Sequence, residues 1–465
     1  MAEKAKIIYV CQNCGRHYPR WQGRCDSCGQ WQTIAEQIAE KKSFAPVSSL
    51  QINNAITSIK ASQNLQLDFS RFTSGIGELD RCLGRSENGA AGMVRGSVVL
   101  IGGEPGIGKS TLLTQVLINL STKYLRQAKL QSSATSSRIL YLCGEESPAQ
   151  INIRLQRLLP KGINLADLPL DYFTSGDVDL LTAAIKKLPP ALLIVDSIQT
   201  LKTQDLLGQA GGLGQIKECV ERVVQTVKSL HIPTFLIGHV TKDGGLAGPK
   251  VLEHLVDAIF ALEGERSGEL RFLRVLKNRF GASDEVGVFK MNELGMSEVV
   301  NPSEYFLQES QTGVPGSGVV CILEGTRALL TEVQALVTPS QLAMPRRVGR
   351  GIDLSRVQVL AAVLGKHCHL PLGTADIFLS VVGGMKIQEA GIDLGLALAL
   401  ASSLKEKPLP AKTVFIGEVG LMGEIRAVSS LERRIKEAKR LGYQQVYAYP
   451  AQRRVKDLLE QLQII

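Results

Sequence analysis

No apolar run reaches the roughly 18 residues that a membrane-spanning helix needs. The richest stretch, residues 392–402, is short and carries the charged Asp393 near its start. The opening residues, MAEKAKIIYVCQNC, pass straight into cysteines without the apolar core of a secretory signal. No segment repeats, and low-complexity sequence is confined to QSSATSS at 131–137, read as a surface loop. These absences set aside fibrous, wholly disordered and membrane-spanning classes, and they predict a soluble protein of the cytoplasm. What is there is ordinary globular composition, 44% hydrophobic and 21% charged, over 465 residues. At about 150 residues per domain, that length predicts about three domains. Lys and Arg exceed Asp and Glu by 53 to 44, a net charge of +9. A basic surface favours polyanions such as nucleic acid, although a solvated basic face with no partner fits equally well.

Four of the nine cysteines crowd the start: Cys11, Cys14, Cys25 and Cys28, spaced C-x2-C-x10-C-x2-C. Two CxxC turns present four soft sulfur ligands, a set that suits tetrahedral zinc. Gly15 and Gly29 follow the second cysteine of each pair, where a tight turn needs permissive backbone. Disulfides and unpaired thiols are the competing readings, and a cytoplasmic setting argues against the first. Four protein sulfurs leave no open position, so the site is expected to be structural, with His17 surplus to it. The cysteines at 82, 143, 219, 321 and 368 stand singly and read as small core hydrophobes.

Residues 36–69 are polar and rich in Ser, Asn and Gln, which reads as a linker. From 70 to about 308, short apolar runs alternate with helical patterns: SVVLIGG, RILYLCG, ALLIVDS and IPTFLIGH each precede one. That alternation predicts a mainly parallel sheet wrapped by helices. A second α/β pattern opens near 315 and runs to 465, after the Gly-rich YFLQESQTGVPGSG. The expected domains are therefore 1–35, 70–308 and 309–465.

Gly103-Glu104-Pro105-Gly106-Ile107-Gly108-Lys109-Ser110, followed by Thr111, fits G-x4-G-K-[ST] between a strand and a helix. Backbone N–H groups of such a loop curl around ATP phosphates, and the helix N-terminus adds partial positive charge. Lys109 is expected to reach the β- and γ-phosphates, with Ser110 on Mg²⁺. The strand LLIVD ends in Asp196, the second magnesium carboxylate, direct or through water. Glu145 and Glu146 follow RILYLCG at the sheet edge where such folds bind ligands. Glu145 is the expected base for the attacking water and Glu146 its reserve; an exposed acid pair at a helix start is the alternative.

The CxxC pairs, GEPGIGKST, GEES, LLIVDS, GHVTKDG and KNRFG, in this order, resemble the RadA (Sms) family of bacterial DNA-repair ATPases across nearly the whole chain. The resemblance implies a RecA-like ATPase core, homo-hexameric rings, and a DNA-dependent motor that promotes branch migration of recombination intermediates. It also implies single-stranded and branched DNA as partners, with a recombinase (RecA) as a further one. Carried over by motif, Lys277, Asn278, Arg279, Phe280 and Gly281 form KNRFG, with Lys277 and Arg279 as charges supplied to a neighbouring subunit's γ-phosphate. His239 and Lys242, in GHVTKDG, stand where a γ-phosphate sensor would be. SENGAAGMVRG and RQAKLQSSATSSR are longer than the family pattern; both are expected in loops, which tolerate insertion.

The C-terminal region is similar to the proteolytic domain of Lon, whose chemistry needs a serine activated by a lysine. By that alignment Ile392 occupies the serine position and Glu432 the lysine position, and neither can do the work. An inactive scaffold or DNA-binding surface is expected. The run Pro345-Arg346-Arg347-Val348-Gly349-Arg350-Gly351 is read as an exposed loop whose arginines contact DNA phosphates, against a solvated loop. The functions weighed are an ATP-driven motor on DNA, a Lon-type ATP-dependent protease, a non-catalytic DNA-binding scaffold, and a RecA-like signalling ATPase without DNA.

Overall fold

The computed structural model describes residues 7–38, 70–86, 88–130, 138–239, 252–264, 268–308, 310, 313–383 and 385–465. Most of the expected linker (39–69), the QSSATSS loop and Lys242 lie outside the described residues. The chain divides into two compact units. One comprises Met1–Glu263, Phe272–Ser283 and Met291–Met296; the other comprises Gly264–Arg271, Asp284–Lys290 and Ser297–Ile465.

The N-terminal segment is a three-stranded antiparallel sheet, with β1 (Ile7–Cys11) between β2 (His17–Tyr18) and β3 (Ile34–Ile38). Its core is small: Cys11, Tyr18, Cys25 and Ile34 are buried together. So few apolar side chains cannot offset the entropy of ordering the segment, which is why small modules of this size rely on a metal.

The P-loop region is built on a nine-stranded sheet. Its strands are β4 (Val98–Gly103), β5 (Ile139–Cys143), β6 (Leu170–Phe173), β7 (Leu192–Asp196), β8 (Thr234–His239), β9 (Ala258–Glu263), β10 (Leu270–Asn278), β11 (Val286–Asn292) and β12 (Gly295–Glu298). In space they run β12-β11-β10-β9-β4-β8-β7-β5-β6. Strands β6 through β9 are parallel in that order, and β10 is antiparallel to β9. Every residue of β4, β5 and β7 is buried, as continuous apolar runs demand when helices cover both faces. Those helices include α1 (Gly77–Leu83), α2 (Lys109–Leu130), α3 (Pro148–Leu158), α4 (Val178–Lys187) and α5 (Leu213–Ser229). The expected strand through RFLRVLKNRFG forms, but it stops at Asn278 and leaves Arg279–Gly281 as a turn.

The second unit holds a six-stranded sheet. It contains β13 (Ser317–Glu324), β14 (Arg327–Pro339), β15 (Arg347–Arg350), β16 (Ala375–Val381), β17 (Thr413–Phe415) and β18 (Gln445–Tyr447), in the order β15-β16-β14-β13-β17-β18. Its helices include α6 (Pro302–Leu307), α7 (Leu354–Cys368), α8 (Asp393–Lys405), α9 (Leu431–Arg440) and α10 (Val455–Gln461). The richest apolar stretch of the sequence becomes α8, buried on every side from Asp393 to Ser402. A helix apolar all round belongs inside a core. The single cysteines at 82, 143, 219, 321 and 368 are all buried. No described helix is long and apolar enough to cross a membrane.

Candidate functional site

Strand β4 ends at Gly103, and the loop that follows enters α2 at Lys109. Gly108 has φ +115°, a backbone conformation that side chains strain to adopt, so the turn favours glycine. Lys109 is buried, and its Nζ donates to the carbonyls of Gly103 at 2.8 Å and Glu104 at 2.9 Å. Burial pushes its pKa down, while the charges of Asp196 and Glu145 oppose that shift. The lysine therefore shares a field with both acids.

Asp196 closes β7 and is buried; its Oδ2 accepts from the Tyr141 hydroxyl at 2.6 Å. Burial first, and the Asp196 charge second, push the Tyr141 pKa well up, so the phenol stays a donor. The Gly144 N–H donates to the Asp196 carbonyl at 2.7 Å, fixing the start of Gly144-Glu145-Glu146 beside β7. Ser197 donates to Glu145 Oε1, while Glu146 is held by Arg154 through both carboxylate oxygens. His239 pairs in register with Gly103, which puts its backbone at the same sheet edge. Its side chain, like Lys242, lies outside what is described. The P-loop, Glu145, Asp196 and the His239 backbone thus come together at the carboxyl ends of parallel strands, where open α/β sheets bind ligands.

KNRFG does not join them. Asn278 stands opposite Ala258, which stands opposite Val99; Leu262 stands opposite Gly103. Four residues of β4 separate the two levels, about 13 Å at roughly 3.3 Å per residue. Asn278 Nδ2 donates to the carbonyls of Cys82 (3.0 Å) and Leu83 (3.2 Å), and its Oδ1 accepts from the Phe280 N–H. A Cβ on Gly281 would lie 2.7 Å from that amide nitrogen and 3.0 Å from Gly84 Cα. Lys277 Nζ donates to the carbonyls of Glu253 and, at 2.9 Å, Val256; burial and then the Arg279 charge push its pKa down. Arg279 is exposed, with its Nη1 3.5 Å from Asp257.

In the N-terminal module the four cysteine sulfurs lie within 4.8 Å of one another. Cys11 and Cys28 are 3.6 Å apart, Cys14 and Cys25 3.4 Å. A tetrahedron of Zn–S bonds near 2.3 Å has edges of about 3.8 Å, so the donor set fits. The two knuckles repeat one pattern: Gly15 N–H donates to the Cys11 carbonyl and Gly29 N–H to the Cys25 carbonyl, both at 2.8 Å. Both glycines have positive φ, +73° and +71°.

In the second unit Ile392 is fully buried at the entry to α8, and Glu432 is exposed in the first turn of α9. Arg434, fully buried, donates to the Cys321 and Ser429 carbonyls and pairs with Glu389. The expected basic loop is in part a strand. Residues 347–350 form β15, parallel to β16, and Arg347 donates to the carbonyls of Arg346, Ala375 and Leu372. Arg346 and Arg350 are exposed.

Sequence reasoning missed Tyr141, Arg154 and Gln199. A phenol inside the apolar strand run RILYLCG was a usable signal for the first. Gln199, just past Asp196, buries both its amide nitrogen and oxygen without a partner, its Nε2 facing Gly238 of β8. Such an orphan costs about 1–3 kcal/mol.

Family models match three stretches of the chain. A model of the AAA domain matches residues 85–245, one of the rubredoxin metal binding domain residues 9–36, and one of subunit ChlI of Mg-chelatase residues 348–451. DNA repair protein RadA of Bacillus subtilis (strain 168) is 42% identical over 450 residues, 95% of this chain and 92% of that protein. DNA repair protein RadA of Pseudomonas aeruginosa is 44% identical over 443 residues, again 95% and 92%. A solved KaiC-like protein, PH0186 of Pyrococcus horikoshii, aligns at 16% identity with a TM-score of 0.37. It covers 50% of this chain and 99% of that one, too slight a likeness to bear on the fold. Relatives this similar over nearly their whole length make the chain a member of the bacterial RadA family.

Proposed function

We propose that the chain is a DNA-dependent ATPase of DNA repair and recombination, driving branch migration of recombination intermediates as a homo-hexameric ring. The observation that carries this reading is the convergence of Lys109, Glu145 and Asp196 at one sheet edge, in a chain whose relatives are DNA repair proteins. Residues Gly103–Thr111 hold the ATP phosphates through backbone N–H groups, with Lys109 on the β- and γ-phosphates. Ser110 and Asp196 hold Mg²⁺, which neutralises charge on the phosphates. Glu145, whose carboxylate shares the field of Lys109, takes the proton of the attacking water. Glu146 is held by Arg154 and stays in reserve. His239 and Lys242 sense the γ-phosphate.

Lys277 and Arg279 act on the nucleotide of a neighbouring subunit, as an arginine finger does. Their place at the opposite edge from their own P-loop supports action in trans. Cys11, Cys14, Cys25 and Cys28 hold zinc as a closed structural clip, and RecA is a further partner. The domains run 1–35, 70–308 and 309–465 about the linker 36–69, except that strand β3 carries the first module on to Ile38. The last is an inactive Lon-like scaffold, because Ile392 and Glu432 supply neither nucleophile nor base. Arg346 and Arg350 meet DNA phosphates, with Arg347 bracing the strand between them. The setting is the cytoplasm.

The test is ATP turnover with and without single-stranded DNA, with casein as a protease substrate in parallel. DNA stimulation without casein cleavage is expected. Turnover indifferent to DNA would overturn the motor reading, and ATP-dependent casein cleavage would replace it with the protease.

A further inference from the structure

The sequence has two tryptophans, and both stand on the surface of the N-terminal module. Trp21 is 58% exposed and Trp31 69%. They flank one point of the backbone: a Cβ built on Gly23 would lie 3.7 Å from Trp31 Cζ3 and 3.9 Å from Trp21 Cη2. The main chain that carries Trp31 is fixed beside Gly23. Arg24 and Trp31 form an antiparallel bridge, the Gln32 N–H donates to the Gly23 carbonyl at 2.8 Å, and Arg24 Nε donates to the Gly29 carbonyl at 3.0 Å. The Arg24 guanidinium also lies 5.9 Å from the Trp31 ring centre.

Indole costs free energy to leave in water, and a module with so small a core would gain by burying it. The surroundings say what fits. Arg20, Gln30 and Gln32, which adjoin the tryptophans in the chain, and Arg24, which lies over Trp31, are all exposed, so the patch is two flat apolar plates with cations and amides beside them. An apolar helix or a hydrophobic protein face would leave those groups without partners. A single strand of nucleic acid matches them: its bases stack on aromatic faces in any sequence, and its phosphates meet the arginines.

We propose that Trp21 and Trp31 form a stacking platform for the bases of single-stranded DNA, with Arg20 and Arg24 on the adjoining phosphates. This rests on the DNA reading above and assigns the metal module a direct part in it. Each stacked base is worth about 1–3 kcal/mol, so Trp31→Ala or Trp21→Ala should weaken single-strand binding by between about 5-fold and about 150-fold.

The two rings are also the whole intrinsic tryptophan signal of the protein. Titrating the full chain with unlabelled oligothymidylate should quench that emission, with the same midpoint as the anisotropy of a labelled oligonucleotide. An abasic oligonucleotide of equal length keeps the phosphates and removes the bases, and it should bind more weakly without quenching. Trp31→Phe should retain most of the affinity that Trp31→Ala loses. The alanine variants should leave the salt slope unchanged, whereas Arg20→Ala should flatten it. DNA binding with emission unchanged, or equal affinity for the abasic strand, would overturn the platform and leave the DNA reading standing. No binding by anisotropy would remove both. Affinity intact in the Trp variants but RecA binding lost would assign the patch to a protein and end the proposal.

Discussion

Asp393 sits 6% exposed in the first turn of α8, with Arg356 Nε and the Val419 N–H each 3.4 Å from its oxygens. Burial pushes its pKa up to about 6, against the pull of Arg356 and the Val419 amide. Unfolded, the same carboxyl titrates near 3.9. Between those values the folded chain holds the extra proton, so stability falls as pH rises from about 4 to about 6. The loss from this group is on the order of 3 kcal/mol by neutrality. Asp393→Asn should remove that slope, and the second unit of the variant should melt higher at pH 7.5 and about equally at pH 4.5. Thermal melts across that range check it; parallel curves for both proteins would refute the assignment. The sequence marked Asp393 only as a charge interrupting an apolar run. The desolvation that makes it matter depends on α8 being enclosed on every side, and no local pattern announces that.

At the scale of elements, legibility followed locality. The zinc knuckles, the P-loop and the strand ending in Asp196 are each written in a few consecutive residues, and each forms where those residues stand. The arginine run was read as a loop because Gly and Pro flank it. It pairs as β15 because β16, with each partner 30 residues on, offers an open edge, and long-range pairing outranks local turn chemistry. Arg347 was read as a phosphate contact for the same reason, since its carbonyl partners at 372 and 375 are brought near only by that pairing. The N-terminal sheet gives the clearest test at this scale. With so few buried apolar residues, Cys28→Ser leaves three sulfurs and should lower metal affinity steeply, with loss of order in the first segment and little change in the rest. Metal content by mass spectrometry, paired with limited proteolysis, reads both. Wild-type protein purified without chelator and carrying no zinc would defeat the clip.

For the molecule as a whole, the test is complementation between subunits. Lys109→Ala should abolish turnover by removing the phosphate-binding cation. Arg279→Ala should cut it by roughly 10³-fold while ATP still binds. Mixed, the two dead proteins should regain activity, because some neighbours then pair an intact P-loop with an intact Arg279. Exchange of subunits, shown by fluorescence transfer, without recovered turnover would rule out action between subunits. The placement of KNRFG one strand-length from its own P-loop carries a consequence for kinetic order. On the proposed reading, in which Arg279 serves a neighbour's nucleotide, a solitary subunit holds both groups too far apart to use them together. Turnover per chain should therefore decline on dilution, rising faster than linearly with protein concentration until assembly saturates. The sheet would then act as a spacer that makes the enzyme report its own local abundance.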